Sequence, residues 1–305
     1  MNDAKHILIA GGSGFIGQHL ASRLTEKGYA VSLLGRNSMN TGPYNYYSWN
    51  PTEGKIDPEA LKGMDVIINL TGAGIADRQW TRKRKDLIYR SRIDSTGLLV
   101  NAIIDKGHSP TLFINASAIG YYGNRPGELL TENSEPGSGF VSKVCSDWEK
   151  ATTPLQKAGI PTAILRIGIV LGKHGGSLSK LVLPLKYGIN VLFGKGKHFT
   201  SWIHIQDIAQ IIVQLISGRL RPGVYNAASP KPLSQREFNS EILTALHRKA
   251  IKLNLPVVFL QVILGDLVAV FTADLNIQPR NLTNQKFTFN FPDIQRALAD
   301  LLAKS

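Results

Sequence analysis

The chain has 305 residues, of which 43% are hydrophobic and 19% are charged, a composition typical of a folded globular protein that excludes a disordered or collagen-like chain. Its formal net charge is +13, but the basic residues are scattered along the chain apart from one cluster at 82–85. We therefore interpret the excess charge as attraction for an anionic small molecule or as an aid to solubility, and a nucleic-acid partner is unexpected.

Near the N-terminus, a short apolar strand leads directly into a glycine-rich turn. Residues 5–10 are followed by Gly11, Gly14 and Gly17, which are spaced three residues apart. After a strand, Gly11 allows a tight turn, Gly14 lets the backbone approach a pyrophosphate, and Gly17 lets the next helix lie close to the sheet. This pattern predicts a dinucleotide pocket in which the first amides of the helix hold the phosphates. The expected contacts of the dinucleotide are Gly11, Ser13, Gly14, Phe15, Ile16 and Gly17.

A helix over 18–27 and a second strand over 28–34 complete a β-α-β unit around this turn. An NAD site usually places an acidic residue after the second strand, where it binds the 2′-hydroxyl of the ribose. This chain has Gly35-Arg36-Asn37 there instead. A guanidinium favours the 2′-phosphate through charge-assisted hydrogen bonds, so Arg36 predicts NADP(H) as the cofactor. The alternative is that Arg36 is a solvated loop residue.

Strands and helices continue to alternate, which predicts an α/β fold with a Rossmann-type doubly wound parallel sheet. The further strands are expected at 66–72, 111–117, 160–170 and 224–227, and the further helices at 81–105, 143–158 and 208–217, the last with Asp207 as its N-cap. We expect an NADP-binding Rossmann domain over 1–172 and a smaller, mainly helical substrate lobe over 173–305, with a late strand near 223–228 returning to the Rossmann sheet. The cleft between the two is the expected site.

The strand at 66–72 ends in small residues at the carboxyl edge, where parallel sheets bind ligands. We therefore expect Leu70, Thr71 and Gly72 to contact the cofactor.

Several motifs occur in an order that resembles the extended short-chain dehydrogenase/reductases. They are Gly11 to Gly17, Asn69 to Gly72, Tyr121-Tyr122-Gly123, Leu165 to Gly172 and Ser201 to Asp207. The segments 75–81, 91–93, 117–123 and 147–149 are similar to those of the atypical subgroup of NAD-dependent epimerase/dehydratase-like proteins that have their own C-terminal domain. The resemblance covers essentially the whole chain. It implies NADP(H) binding and a small-molecule substrate whose identity is unassigned.

The resemblance also implies a Tyr-x-x-x-Lys pair, in which a Tyr phenol exchanges a proton with the substrate and the Lys lowers the pKa of that phenol. This pair is absent. When Glu149 is aligned with the acidic residue that commonly follows, Val141 and Cys145 stand in the two places. Shifting the frame so that Lys143 serves as the Lys puts Gly139 at the Tyr position, which restores no proton donor.

Three hydroxyls near this edge are candidates for catalysis. Ser117 lies one residue before the position of the family's usual hydroxyl, Ala118, so it either contacts substrate or nicotinamide or bonds to the backbone at the strand end. Tyr121 and Tyr122 are adjacent phenols, and either could donate a proton if a nearby cation lowered its pKa. At least one of the two should pack in the interior, because neighbouring side chains on an extended segment point in opposite directions.

Arg92 occupies the place where the resemblance implies an Asn. Its guanidinium either binds a phosphate or ribose oxygen of the cofactor, or replaces the missing Lys as a fixed cation, or forms a surface ion pair with Asp94. Arg166 either lies near the cleft or ties down a loop carbonyl.

Two functions fit these residues. One is an NADP(H)-dependent oxidoreductase or epimerase-like enzyme that acts on a small polar substrate, and the other is a noncatalytic NADP(H)-binding protein that regulates a partner. No His, Cys or carboxylate cluster has the spacing of a metal site. The single cysteine, Cys145, and the absence of a signal peptide or an apolar run of about 18 residues lead us to expect a cytoplasmic protein. The sequence leaves the substrate, the proton donor, the reaction direction and the oligomeric state open.

Overall fold

The structure, a computed structural model, describes residues 5–36, 43–173 and 175–303. Its strands are β1 (His6–Ala10), β2 (Ala30–Gly35), β3 (Asn45–Asn50), β4 (Lys55–Ile56), β5 (Val66–Asn69), β6 (Leu112–Ala118), β7 (Leu129–Leu130), β8 (Thr162–Ile167), β9 (Ile169–Gly172), β10 (Gly175–Gly176), β11 (Ile189–Phe193), β12 (Phe199–Thr200), β13 (Trp202–His204), β14 (Val224–Ala227), β15 (Leu233–Ser234), β16 (Ile251–Leu255) and β17 (Asn276–Ile277).

The helices are α1 (Phe15–Glu26), α2 (Arg82–Asp105), α3 (Phe140–Lys150), α4 (Thr153–Lys157), α5 (Leu178–Lys186), α6 (Ile205–Ile216), α7 (Gln235–Ala245), α8 (Val257–Leu264), α9 (Val268–Thr272), α10 (Arg280–Asn284) and α11 (Ile294–Leu302). Short 3₁₀ helices span Pro51–Glu53, Ile119–Tyr122 and Gly265–Leu267. Within the described ranges, no helix combines the length and hydrophobicity that crossing a membrane requires.

Eight strands form the main sheet in the order β14-β8-β6-β5-β1-β2-β3-β4. All neighbours run parallel except β3 and β4. From β1 the chain adds β2, β3 and β4 on one side and then crosses to add β5, β6, β8 and β14 on the other. The carboxyl ends of β1 and β5 therefore form the switch point at which such sheets bind ligands. The prediction of a doubly wound parallel sheet is confirmed.

The chain returns to this sheet late, because β14 pairs with β8 and places Val224 opposite Ile164. The C-terminal part is built from helices and small sheets. One sheet has three strands in the order β10-β9-β13, and three further sheets are the pairs β11-β16, β12-β15 and β17-β7. A separate apolar cluster joins α5, α7 and α11 around Trp202 and Phe238. The second part therefore has its own core beside the main sheet.

Two predicted elements were wrong because each is interrupted. The helix expected at 143–158 is two helices, α3 and α4, and Pro154 lies in the first turn of α4, where its missing N–H costs no hydrogen bond. The strand expected at 160–170 divides at Gly168, whose amide bonds to Ala227 while the next amide bonds to Ser201. The chain thereby passes from the main sheet into the three-stranded sheet.

The helix expected at 208–217 begins earlier, at Ile205, with His204 as its N-cap. The imidazole Nδ1 of His204 accepts the amide of Gln206. The carboxylate of Asp207 instead accepts the amides of Asn290 and Phe291, so it binds the C-terminal segment.

The glycine turn brings α1 against the end of β1. Gly11 has a φ of +81°, which favours glycine. A Cβ on Gly17 would lie 2.5 Å from the carbonyl oxygen of Gly11 and 2.7 Å from the Cα of Gly12. The helix can approach the turn only because residue 17 has no side chain.

A buried ion pair joins β8 to α3. Arg166 donates to both carboxylate oxygens of Glu149, at 3.0 and 2.9 Å, and the two side chains are 5% and 10% exposed. Burial by itself would lower the pKa of Arg166, but its bonds to Glu149 raise that pKa above the usual value. The same guanidinium donates to the hydroxyl of Tyr122 and the carbonyl of Glu132. One side chain thus connects a strand, a helix and two loops.

Replacing Gly17 with Ala should lower the free energy of unfolding by roughly 1–3 kcal/mol, because the new methyl group meets backbone atoms that have no freedom to move. Urea unfolding measures this. The matched control is Gly97→Ala in α2, where a Cβ meets nothing within 4 Å. That variant should be about 0.5–1 kcal/mol more stable than the wild type. Equal effects of the two substitutions would contradict the close approach.

Replacing Glu149 with Gln should lower the free energy of unfolding by about 3 kcal/mol, because it leaves the buried Arg166 guanidinium without a countercharge. As a control, Asp86→Asn removes the exposed partner of Arg90 and should cost less than about 1 kcal/mol. Thermal and urea unfolding of the three proteins test this. A loss of similar size in both variants would show that the buried pair has no special role.

Candidate functional site

The N-terminus of α1 presents free amides at the switch point of the sheet. Gly14 is its N-cap residue, without a side chain to bond those amides, and its first turn contains no acidic residue. The amide of Gly14 itself donates to Gly11 at 3.0 Å and closes the turn. Helix N-termini of this kind bind phosphate groups through their amides and dipole.

The other predicted residues of the turn have distinct surroundings. Ser13 is exposed, and its carbonyl accepts the amide of the Gln18 side chain. The ring of Phe15 packs against the glycines of the β9–β10 hairpin, where a Cβ on Gly175 would lie 2.5 Å from a ring carbon. Ile16 packs on the main core. Only backbone groups and the Ser13 hydroxyl are therefore free at this turn.

The segment that follows β5 lies directly against the glycine turn. A Cβ on Gly11 would be 2.9 Å from the carbonyl of Leu70. The side chain of Asn69 accepts the amide and the hydroxyl of Thr71, while its own amide donates to Thr96 and Asn115. Asn69 thus holds Leu70, Thr71 and Gly72 in place. The sequence analysis missed this role of Asn69. The available signal was a polar Asn at the end of an apolar strand, because such a side chain needs hydrogen-bond partners.

Arg36 follows the end of β2 and is exposed. It takes part in no ion pair among the described residues. Its neighbour in the predicted motif, Asn37, lies outside the described residues. Since β2 pairs with β1 in parallel, the guanidinium stands at the same edge of the sheet as the glycine turn.

Arg92 reaches this edge from α2. Its guanidinium lies 3.0 Å from the position of a Cβ on Gly72, and over the ring of Trp148 at 5.1 Å. It donates to the carbonyl of Ile88, and within the described part of the chain it has no carboxylate partner. The ion pair with Asp94 is not formed in this structure. Burial, with a smaller contribution from the guanidinium of Arg84, lowers the pKa of Arg92 from its usual value.

The positions of the missing Tyr and Lys pack against the 3₁₀ turn that follows β6. A Cβ on Gly120 would lie 2.3 Å from Cγ1 of Val141 and 3.8 Å from Sγ of Cys145. Burial raises the pKa of the Cys145 thiol to about 12, so the thiol is neutral near pH 7. Val141 has no titratable group, and the thiol of Cys145 forms no thiolate at that pH.

The hydroxyls of Ser117 and Tyr122 are both occupied inside the protein. Ser117 is buried, and its hydroxyl donates to Oε1 of Glu149 at 2.6 Å. Tyr122 is fully buried and donates to Asn226 at 2.6 Å while it accepts from Arg166 at 2.9 Å. Burial raises the pKa of Tyr122 to about 12. Both hydroxyls therefore form hydrogen bonds with the buried ion pair, Ser117 with Glu149 and Tyr122 with Arg166.

Tyr121 differs from its neighbour because it is partly exposed. The guanidinium of Arg166 lies 3.5 Å from the centre of its ring. Burial raises the pKa of Tyr121, and the positive charge of Arg166 partly opposes this rise. The phenol is therefore protonated at neutral pH and keeps a path to solvent.

The residues that the sequence proposed for the cofactor thus meet at one edge, and Arg92 and the 3₁₀ turn lie beside them. Within the described ranges, no group of three or more His, Cys, Asp or Glu side chains could hold a metal ion. The edge offers backbone amides, the guanidinium groups of Arg36 and Arg92, which have no carboxylate partner among the described residues, and the partly exposed phenol of Tyr121. These groups can bind an anionic dinucleotide and a polar ligand.

Comparisons with known proteins agree with this geometry. Residues 7–228 match the family model described as the NAD dependent epimerase/dehydratase family. An epimerase family protein of Bacillus subtilis is 34% identical over 301 residues, which cover 98% of each chain. An epimerase family protein of Staphylococcus aureus is 30% identical over 306 residues, covering 98% of this chain and 100% of that protein.

A solved structure of a human epimerase family protein with NADPH matches at a TM-score of 0.85 and 27% identity, and the match covers 97% of this chain and 98% of that one. A nucleoside-diphosphate sugar epimerase from Corynebacterium glutamicum matches at a TM-score of 0.79 and 30% identity over 98% of this chain and 58% of that one. The resemblance inferred from the motifs is confirmed. The chain belongs to the NAD dependent epimerase/dehydratase family and has its nicotinamide-dinucleotide-binding, oxidoreductase-like fold.

Proposed function

We propose that this protein is an NADP(H)-dependent oxidoreductase of the epimerase family that acts on a small polar, anionic substrate. The observation that carries the proposal is the guanidinium of Arg92, which lies beside Gly72 at the ligand-binding edge without a carboxylate partner in the described part of the chain. A half-buried cation without a countercharge is costly unless a ligand supplies one.

The glycine turn and the segment after β5 fit a dinucleotide. A Cβ at Gly11 would crowd the carbonyl of Leu70 and a Cβ at Gly17 would crowd the carbonyl of Gly11, so glycine at both positions lets the turn bring its amides to the switch point. The residues proposed to bind it are Gly11, Ser13, Gly14, Phe15, Ile16, Gly17, Leu70, Thr71, Gly72 and Arg92. Phe15 and Ile16 contribute through their amides, because their side chains pack elsewhere.

Arg36 supports NADP(H) over NAD(H). It is exposed after β2, where the 2′ position of the adenine ribose lies in folds of this kind. A guanidinium offers a 2′-phosphate two parallel hydrogen bonds together with its charge. The human relative solved with NADPH agrees with this choice.

Bound NADPH supplies a hydride to a carbonyl carbon of the substrate. The carbonyl oxygen then needs one proton, and Tyr121 is the proposed donor because it is neutral, partly exposed and beside Arg166. Solvent returns the proton to the phenol. Ser117 and Tyr122 keep the turn in place through the buried ion pair, and the proposal assigns them no proton transfer.

A second function is favoured by a specific observation. Val141 and Cys145 fill the positions of the usual proton-transfer pair with an alkyl group and with a buried thiol that stays protonated at neutral pH. A noncatalytic protein that binds NADP(H) and regulates a partner would need only the cofactor half of the site. Turnover separates the two functions.

Calorimetric titration tests the cofactor. We expect NADPH to bind at least tenfold more tightly than NADH, and Arg36→Ala to weaken NADPH by about 10- to 100-fold, which is the value of a charge-assisted hydrogen bond to phosphate. Lys106→Ala, which removes an exposed cation from the end of α2, should change neither constant. Equal affinity of the wild type for both nucleotides would refute the role of Arg36.

Oxidation of NADPH, followed by its absorbance over a panel of carboxylated and phosphorylated carbonyl compounds, tests catalysis. With any substrate found, Tyr121→Phe should lower kcat by about a hundredfold or more and leave the Kd for NADPH unchanged, because only the proton is removed. Tyr187→Phe, at an exposed phenol that directly follows α5, is the control and should retain full turnover. Tight NADPH binding without turnover of any compound would favour the regulatory function, and full activity of Tyr121→Phe would exclude Tyr121 as the donor.

A further inference from the structure

One surface of the C-terminal part is apolar and takes no part in the site. The parallel pair β11 and β16 places Ile189 opposite Ile251 and Val191 opposite Leu253. Since side chains alternate along a strand, these residues share one face of the pair, while Asn190 on the other face is buried. Ile251 is 76% exposed. The pair therefore presents an uncovered row of apolar side chains.

The helix that follows extends this surface. Only Pro256 separates β16 from α8, and a Cβ on Gly194 at the end of β11 would lie 3.5 Å from Val257. In α8, Val258 is 75% exposed and Val262 is 83% exposed, and Leu260 is its one buried residue. We call the following residues the apolar patch: Ile251, Leu253, Val258, Phe259, Val262 and Ile263. Exposed apolar groups on a folded monomer are usually scattered singly, so six of them on two consecutive elements indicate a binding surface.

Cations flank the elements of the apolar patch along the chain. The segments 186–206 and 242–265, which contain both strands and α8, include no Asp or Glu. Their cations are Lys186, Lys195, Lys197, Arg248, Lys249 and Lys252. None of these six takes part in an ion pair among the described residues. The charge is thus available to an anionic partner.

We propose that the apolar patch docks on an anionic lipid surface, with α8 lying in the headgroup region and the six cations contacting acidic headgroups. Apolar side chains flanked by Lys and Arg are the pattern by which short helices bind membrane interfaces. With its 8 residues, α8 is far too short to span a bilayer and suits an orientation along the surface. A second copy of the chain is disfavoured as the occupant, because its six cations would face these six.

The docking surface is connected to the segment 73–85, which follows Gly72 at the ligand-binding edge, leads into α2 and is here called the rim. The carbonyl of Ile263 accepts the side-chain amide of Gln79, and Asp266 pairs with Lys85 at the start of α2. Docking therefore holds the rim of the cleft close to the lipid surface. This inference is independent of the proposed function, since it uses none of the cofactor or proton-transfer residues.

Flotation with vesicles tests the proposal. The wild type should bind vesicles of phosphatidylcholine and phosphatidylglycerol in roughly equal parts, and bind vesicles of phosphatidylcholine alone at least tenfold more weakly. The triple variant Arg248→Gln/Lys249→Gln/Lys252→Gln should lose about fivefold per charge, or roughly a hundredfold. The charge-matched control is Lys27→Gln/Lys106→Gln/Lys157→Gln, at exposed lysines outside the patch, which should lose less than threefold.

A second set of variants tests how much the apolar side chains contribute to vesicle binding. Val258→Ser/Val262→Ser should lose at least tenfold in binding, whereas Ile104→Ser/Leu129→Ser, at exposed apolar residues elsewhere, should bind as the wild type does. Phe259→Trp provides a direct reporter, because its emission should shift to the blue when α8 enters the interface. Circular dichroism and urea unfolding verify that every variant is folded.

Three results would overturn the proposal. They are failure of the folded wild type to bind anionic vesicles, equal losses in the patch variants and their matched controls, and binding without a blue shift of the Phe259→Trp emission. Sedimentation showing a dimer that the patch variants dissociate would assign the surface to a second copy instead.

Discussion

The buried pair between Arg166 and Glu149 is the interaction on which the ligand-binding edge depends. It joins β8 to α3, and through Tyr122 and Ser117 it also holds the end of β6. Charges removed from water are stable only when opposite charge and hydrogen bonds surround them. Because the same guanidinium also bonds to the carbonyl of Glu132, a shift of any one of these elements would leave a buried charge unpaired. The edge is therefore held rigidly where ligand geometry matters.

Among the described residues, the usual proton-transfer arrangement has no counterpart beside this pair. The face of α3 that would carry it instead packs Val141 and Cys145 against the 3₁₀ turn, and the carboxylate one turn further accepts the hydroxyl of Ser117. The polar side chains of Ser117 and Glu149 at this position thus stabilise the fold through hydrogen bonds to each other and to Arg166. Among the described residues, the guanidinium of Arg92 and the phenol of Tyr121 lie beside this edge, and the proposed binding and proton transfer use them instead.

The elements that sequence periodicity misjudged are those in which the chain changes partners. Gly168 lies within an apolar run that is typical of one strand, yet it is the point at which the chain leaves the main sheet for a smaller one. Likewise, Asp207 is a residue type that often caps helices, but His204 caps this helix. The Asp207 carboxylate instead accepts the amides of Asn290 and Phe291. The partners of the Asp207 carboxylate lie 83 and 84 residues further along the chain, whereas the local pattern predicted partners within the next helix turn.

By itself, the sequence determined the parallel α/β fold, the family and the position of the glycine turn, because these depend on hydrophobic periodicity and on spacings within a few residues. It also proposed which residues meet the cofactor, and the structure brings that set to one edge. Only the tertiary structure decided which hydroxyls are buried, since the bond of Ser117 to Glu149 spans 32 residues and that of Tyr122 to Asn226 spans 104. A side chain's role follows from partners that are distant in sequence, and no local pattern contains them.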